Sequence, residues 1–225
     1  MNESSKTNAL RGSAFHEQYF MGKVLDIGAG NDPVNTHAVI FDQQHGDANH
    51  IDKYFEAESF DTVHSSHCLE HMQDPVMALQ KWWSLVKSQG FLITVVPDED
   101  LYEQGIWPSF FNHDHVSTFQ MGKKSSWSPV SFDLVSLHLA LPGAVLISSE
   151  RHDQHYDPDL LFKAVSPPKR LKHPLKFVWS ILKRLTPSES KVRLAFQKWL
   201  VQQGYPFDQT TGKALAQLQV VIQKM

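Results

Sequence analysis

Cysteine is nearly absent from this chain of 225 residues, with Cys68 the only one. One thiol excludes an internal disulfide and a cysteine-based zinc site, and it points to a reducing compartment. No run approaches the roughly 18 apolar residues that a membrane-spanning helix needs. The segment Met1 to Leu10 is polar and lacks the apolar core of a signal peptide. A soluble, cytoplasmic protein is the expectation. Internal repeats and low-complexity tracts are also missing. Net charge is only −3, which gives no reason to expect a nucleic-acid partner.

What is present is the composition of a globular protein, with 41% hydrophobic and 20% charged residues. Fourteen Phe, six Trp and five Tyr supply core volume. The length suits one domain, taken as residues 1–225. Residues 1–12 read as a flexible tail and 13–21 as a short helix.

Charge is unevenly placed. Between Lys163 and Arg193 stand nine Lys or Arg residues and one acid, Glu189. Four prolines, at 167, 168, 174 and 187, break that stretch. It reads as a basic helical insertion on the outside of the domain, about 165–208. Within it Phe177, Ile181, Leu182 and Leu185 share one helical face flanked by cations. Such a helix over 175–185 suits either an anionic membrane surface or packing on its own domain with snorkelling cations.

Several apolar runs read as strands: 23–28, 38–42, 60–66, 91–97, 144–148 and 218–223. A helix is expected after Asp74, a fitting N-cap, with Pro75 in its first turn and Gly90 past its end. Val76, Leu79, Trp83 and Val86 would form its buried face. Phe132 to Ala140 is a further helix. Strands alternating with helical or looped crossovers define an open α/β fold with a mostly parallel sheet.

The chemistry-bearing residues follow the strands. Asp26-Ile27-Gly28-Ala29-Gly30 closes the first one, where glycines let backbone turn sharply against a ligand. A dinucleotide fingerprint would need a third glycine at 33, where Pro33 stands. That weakens a nicotinamide-dependent oxidoreductase. Asp42 ends the second strand and can accept bonds from two ribose hydroxyls. Gly46-Asp47-Ala48 follows closely, able to meet an adenine edge or simply to turn. Residues 60–71, FDTVHSSHCLEH, run a strand into a polar turn.

The order LDIGAG, VIFD, GDA, FDTVHSSHCLEHMQDP and GFLITVVP resembles the class I S-adenosylmethionine-dependent methyltransferases, in the small methyltransferase type 11 group. The likeness is strongest over 20–97. It implies a Rossmann-like, seven-stranded sheet with helices on both faces and an antiparallel final hairpin. It also implies S-adenosyl-L-methionine as cofactor, with Asp26, Gly28, Ala29 and Gly30 about its methionine part. By the same likeness Asp42 holds ribose, Asp47 and Ala48 meet adenine, and Ser66 and His67 lie beside the cofactor. Only three residues separate Asp42 from Gly46, so the second crossover is truncated and the ribose role stays open between Asp42 and Asp47. This shortening, with residues 96–103 and 107–119, resembles methyltransferases of cell-surface polysaccharide clusters. The implied activity is methyl transfer to a small molecule or a sugar or glycan, at a hydroxyl. The alternative is a non-catalytic cofactor-binding module of the same fold.

A hydroxyl acceptor needs its proton removed, and His113 and His115, around Asp114, are the candidate bases. Those three, or His152, Asp153, His155 and Asp157, are local groups of possible ligands, but their spacing matches no metal motif. No metal is therefore expected. Cys68 reads as a small buried filler, and Trp107 to Phe119 as a cover over the site.

Overall fold

The computed structural model describes residues 3–163, 167–187 and 190–225. Its main sheet has six strands: β1 (Val24–Ile27), β2 (Val39–Phe41), β3 (Phe60–Ser66), β4 (Val86–Pro97), β7 (Ala144–His152) and β8 (Gln217–Lys224). They lie in the order β2-β1-β3-β4-β8-β7. The first three pairings are parallel, and β8 runs antiparallel to both β4 and β7. β5 (Thr118–Gln120) and β6 (Ser131–Asp133) make a separate parallel pair.

Six strands replace the expected seven. After β2 the chain makes a tight turn and a 3-10 helix, Ala48–Lys53, and then enters β3. So short a connection carries no further strand, and β2 is left at the edge of the sheet.

Period-two alternation builds two cores from the same strands. Leu25, Ile27, Leu92, Val220 and Ile222 point to one face, with Leu79, Trp82 and Trp83 of α3 (Pro75–Ser84). Val24, Ile93 and Val221 point to the other, against Tyr19 of α2 (Ser13–Tyr19) and Phe20. The Asp74 carboxylate caps α3, accepting from Val76 N–H at 2.9 Å and Met77 N–H at 3.1 Å. Such a cap contributes about 1 kcal/mol. The buried face of α3 is Pro75, Ala78, Leu79, Trp82 and Trp83, so two expectations need correction. Val76 is exposed. Val86 begins β4, because the helix stops at Ser84.

The expected tail is also corrected. Residues 1–2 lie outside the described part, but Glu3–Asn8 form α1. Ser5 N–H donates to Asp32 at 2.8 Å, Asn8 Nδ2 to the Val34 carbonyl at 2.9 Å, and Gln217 Nε2 to Thr7 Oγ1 at 2.7 Å. The segment is thus fastened across the end of β1.

The expected insertion contains α5 (His173–Leu185) and α6 (Lys191–Gln202), between β7 and β8. Its residues 165–166 and 188–189 lie outside the described part. α5 buries no residue fully. Its Trp179 ring meets Phe207 edge-on at 5.1 Å and stacks on Phe196 at 6.2 Å. That turns half-buried Leu182 inward and leaves Phe177, Val178, Ile181 and Leu185 exposed. Leu182 therefore leaves the single face on which the sequence placed it with Phe177, Ile181 and Leu185.

His138 of α4 (Leu134–Leu139) ties that helix to the sheet. Its Nδ1–H donates to the Leu134 carbonyl at 2.7 Å, and its Nε2 accepts from Thr94 Oγ1–H at 2.8 Å. The bond from Thr94 needs the neutral ring, and burial lowers its pKa from 6.5 to about 4, against the opposing pull of the Leu134 carbonyl. The unfolded chain takes up this proton first as pH falls, so stability present above pH 6.5 is lost toward pH 4. The loss runs at about 1.4 kcal/mol per pH unit. His138→Gln should flatten the dependence of urea-unfolding free energy on pH across that window. Parallel slopes for variant and wild type would contradict the assignment.

Candidate active site

The carboxyl ends of β1, β2 and β3 open into one cleft, the place where open α/β sheets bind ligands. Two adjoining cavities share Gly28 and His67. One, of about 350 Å³, is lined by Gly28 to Asp32, Ser66, His67 and, from α1, Glu3 and Ser4. The other, of about 550 Å³, includes Asp42, Gly46 to Asn49, His67, Cys68, His71, Asn112 and Asp114. Gly28 has φ +78°, and a Cβ there would stand 2.7 Å from Cys68 Cβ. Here the turn itself demands glycine, so a larger side chain at 28 would strain the backbone whatever the ligand.

Asp26 does not face either cavity. It is fully buried; one carboxylate oxygen accepts from Val34 N–H at 2.6 Å and the other pairs with His64 Nδ1 at 2.6 Å. It holds the glycine loop from below. Burial lowers the pKa of His64 against the opposing pull of Asp26.

Asp42 and Asp47 both reach the cleft but are held differently. The Asp42 oxygens accept from Gly30 N–H at 2.8 Å and Gln43 N–H at 2.6 Å. Each oxygen keeps a free lone pair. Asp47 caps the 3-10 helix, its Oδ1 accepting from Asn49 N–H at 2.9 Å and Asn49 Nδ2 at 2.8 Å. Those bonds hold the Asp47 pKa below the usual carboxylate range. The Ser66 hydroxyl is buried and has no hydrogen-bond partner among the described residues. An elongated cleft with a carboxylate fixed at one end and an orphan hydroxyl at the other fits a nucleoside joined to an amino-acid tail.

At the mouth of the cleft the predicted pair of histidines separates. His113 is exposed and bonds Arg170. His115 is buried, its Nδ1 bonded to Glu103 at 2.6 Å, and its ring lies 4.9 Å from that of His71. His71 Nδ1 donates to the Asp114 carbonyl at 3.0 Å. Beside them sits Glu70, 1% exposed, with neither oxygen hydrogen-bonded. Burial works against its charge, but the facing imidazoles of His67, His115 and His71 hold its pKa below the usual value. His67 itself takes φ +53°, sparsely populated outside glycine, with Nδ1 3.5 Å from Glu70. Cys68 is buried and burial raises its thiol pKa, so it is an inert filler.

Glu70, His71 and Glu103 were absent from the sequence-derived site. Glu70 and His71 stand in the quoted EHM segment, but nothing local shows that they meet His115, which is joined to them by tertiary contact. The pairing of Glu103 with His115 likewise spans a π-helical turn, Glu99–Glu103, that no sequence pattern announces.

A glycine turn, a ribose-competent carboxylate and a cleft along the strand ends define a nucleoside-cofactor enzyme of the α/β class. A family model described as a methyltransferase domain matches residues 11–123, and the chain belongs to that family. S-adenosyl-L-methionine, the methyl donor implied by the resemblance, accords with that family. The chain is similar in fold to an S-adenosylmethionine-dependent methyltransferase from Archaeoglobus fulgidus, at 12% identity over 99% of this chain and 94% of that one, TM-score 0.50. It is also similar to the YcgJ protein from Bacillus subtilis, at 13% identity over 99% and 97%, TM-score 0.47. No curated protein matches.

The two aspartates give the test of the cleft. Asp42→Ala should weaken S-adenosylhomocysteine binding roughly 10- to 100-fold, the worth of charge-assisted hydrogen bonds. Asp47→Ala should cost only a few-fold, through the loosened 3-10 helix. Calorimetric titration of both variants measures this, and the reverse order would assign ribose to Asp47.

Proposed function

We propose that this methyltransferase transfers its methyl group to a hydroxyl of a small molecule or a sugar or glycan. The observation that carries the reading is the buried pair His115–Glu103, which lies directly behind the cleft-lining His71 and Asp114. With Nδ1–H given to Glu103, His115 keeps a Nε2 lone pair open to a proton or a Lewis acid, and either activates an O–H. The ring of Tyr102 lies 5.3 Å from His115 and 5.9 Å from Phe111, which meets Phe110 at 5.5 Å. These aromatic faces suit the C–H surface of a sugar.

In this reading Gly28, Ala29, Gly30, Ser66 and His67 hold the methionine part of the cofactor, Asp42 the ribose, and Asp47 and Ala48 the adenine side. Asp26 is a positioning residue beneath them. When bound, the cofactor supplies a methyl group on a positively charged sulfur. The chain's work is to align the acceptor oxygen and strip its proton. His115→Gln should lower kcat on a hydroxyl acceptor by about 10²- to 10⁴-fold. Its affinity for S-adenosylhomocysteine should stay within about twofold of wild type. Full activity in the variant would remove His115 from the reaction.

We further propose that α5 rests on an anionic membrane surface. Phe177, Val178, Ile181 and Leu185 are exposed together, Lys176, Lys183 and Arg184 flank them, and α5 contains no acid. An apolar face edged by cations favours that setting. The chain should co-sediment with phosphatidylglycerol vesicles and not with phosphatidylcholine vesicles. Phe177→Glu with Leu185→Glu should release it. Equal recovery with both lipids, or none with either, would contradict the membrane role.

A further inference from the structure

Glu70, His71 and His115 each offer one ligand atom, and the three atoms lie within 4.8 Å of one another. Among the described residues this is the only such group of three. Its surroundings are those of a ligand set and not of a chance cluster. Metal-bound histidines almost always donate their second ring N–H to a carboxylate or a backbone carbonyl, which fixes tautomer and ring direction. Both rings here do so: His115 Nδ1 to Glu103 at 2.6 Å, and His71 Nδ1 to the Asp114 carbonyl at 3.0 Å. Each therefore keeps Nε2 uncommitted. Glu70 supplies the independent observation. Its side chain is 1% exposed, neither oxygen has a hydrogen-bond partner, and the nearest imidazole nitrogen, His67 Nδ1, stands off at 3.5 Å; a buried carboxylate answered so loosely is costly unless something positive meets it more closely.

We propose that Glu70, His71 and His115 form a binding site for one divalent transition-metal ion of the zinc type, at the mouth of the cofactor cleft. Two imidazoles and one carboxylate are the ligand set of catalytic zinc sites that leave a coordination position open. Imidazole-rich sites select such ions over magnesium. His71 and Asp114 line the cleft itself, so an open position faces the space for the acceptor. Tetrahedral zinc at about 2.0–2.1 Å from each ligand sets its ligand atoms roughly 3.4 Å apart, against 4.0 Å now between His71 Nε2 and a Glu70 oxygen. Backbone bonds hold the frame. Val116 and Ser117 N–H groups donate to the Glu70 carbonyl at 2.9 and 3.3 Å, keeping the two halves of the site together.

The inference deepens the acceptor-activating reading of His115 and names its Lewis acid. His113, two residues before His115, takes no part, because its ring is turned out to Arg170.

The test is calorimetric titration of the chelator-stripped full chain with Zn²⁺, with Co²⁺ for its visible spectrum and Mg²⁺ for comparison. One Zn²⁺ per chain is expected, with tetrahedral Co²⁺ bands and at least tenfold weaker Mg²⁺ binding. Glu70→Gln and His71→Ala should each weaken Zn²⁺ at least tenfold, while His37→Ala, an exposed histidine elsewhere, should not. Circular dichroism of each variant separates loss of a ligand from loss of fold. Zn²⁺ binding that survives both ligand substitutions in folded protein, or no stoichiometric binding at all, would overturn the site. The two readings fail separately. Chelator-treated enzyme that stays active on a hydroxyl acceptor, while His115→Gln does not, removes the cation and keeps His115.

Discussion

The carbonyl of Glu70 is the point on which the cleft depends. It accepts the backbone N–H groups of Val116 and Ser117, binding the long segment after β4 to the turn after β3. That tether, with the His71 Nδ1 bond to the Asp114 carbonyl, sets His115 beside His71, where Tyr102 and Glu103 meet it. The tether is backbone chemistry, so it fixes the loop's path regardless of side-chain choice. What the side chains then add is charge. Glu70 and Glu103 are both about 1% exposed, and carboxylates so placed are kept only where cations or hydrogen-bond donors answer them. Imidazoles do so here from several directions.

A similar division of labour runs through the cofactor end. One acid, Asp26, lies beneath the glycine loop and spends its oxygens on Val34 N–H and His64. Another, Asp42, stands in the cleft with its oxygens half used. The buried carboxylate shapes the loop, and the half-exposed one is free to read a ligand. α1 completes the enclosure, since Glu3 and Ser4 border the same cavity as Gly28 and Ser66. The glycine turn, the acid at the end of β2 and the first helix are joined by hydrogen bonds into one cradle.

Much of this was legible in the chain before folding. The strands were readable because buried parallel strands are short, continuous apolar runs closed by turn residues, as at 24–27 and 91–97. Asp74-Pro75 announced α3 through local capping chemistry. The glycine turn and Asp42 were readable because their neighbours in sequence are also their neighbours in space. Three features were not. α1 is polar and carries no apolar stripe; contacts to Asp32, Val34 and Gln217 order it, and these lie far along the chain. Val86 looked helical because an apolar residue at helical spacing is equally at home in the strand that follows. Glu70, His71, Glu103 and His115 come from two loops whose approach is a tertiary event, so local spacing paired His115 with His113 instead.

The central claim is that one continuous cleft holds the cofactor with its reactive end turned toward the Glu70–His71–His115 cluster. A crystal structure with S-adenosylhomocysteine bound tests it most directly. The account predicts ribose hydroxyls on Asp42, the amino-acid tail along Gly28 to Gly30 beside Ser66, and the sulfur facing the cluster across His67. A ligand bound elsewhere, or seated with its sulfur turned away from His115, would contradict it.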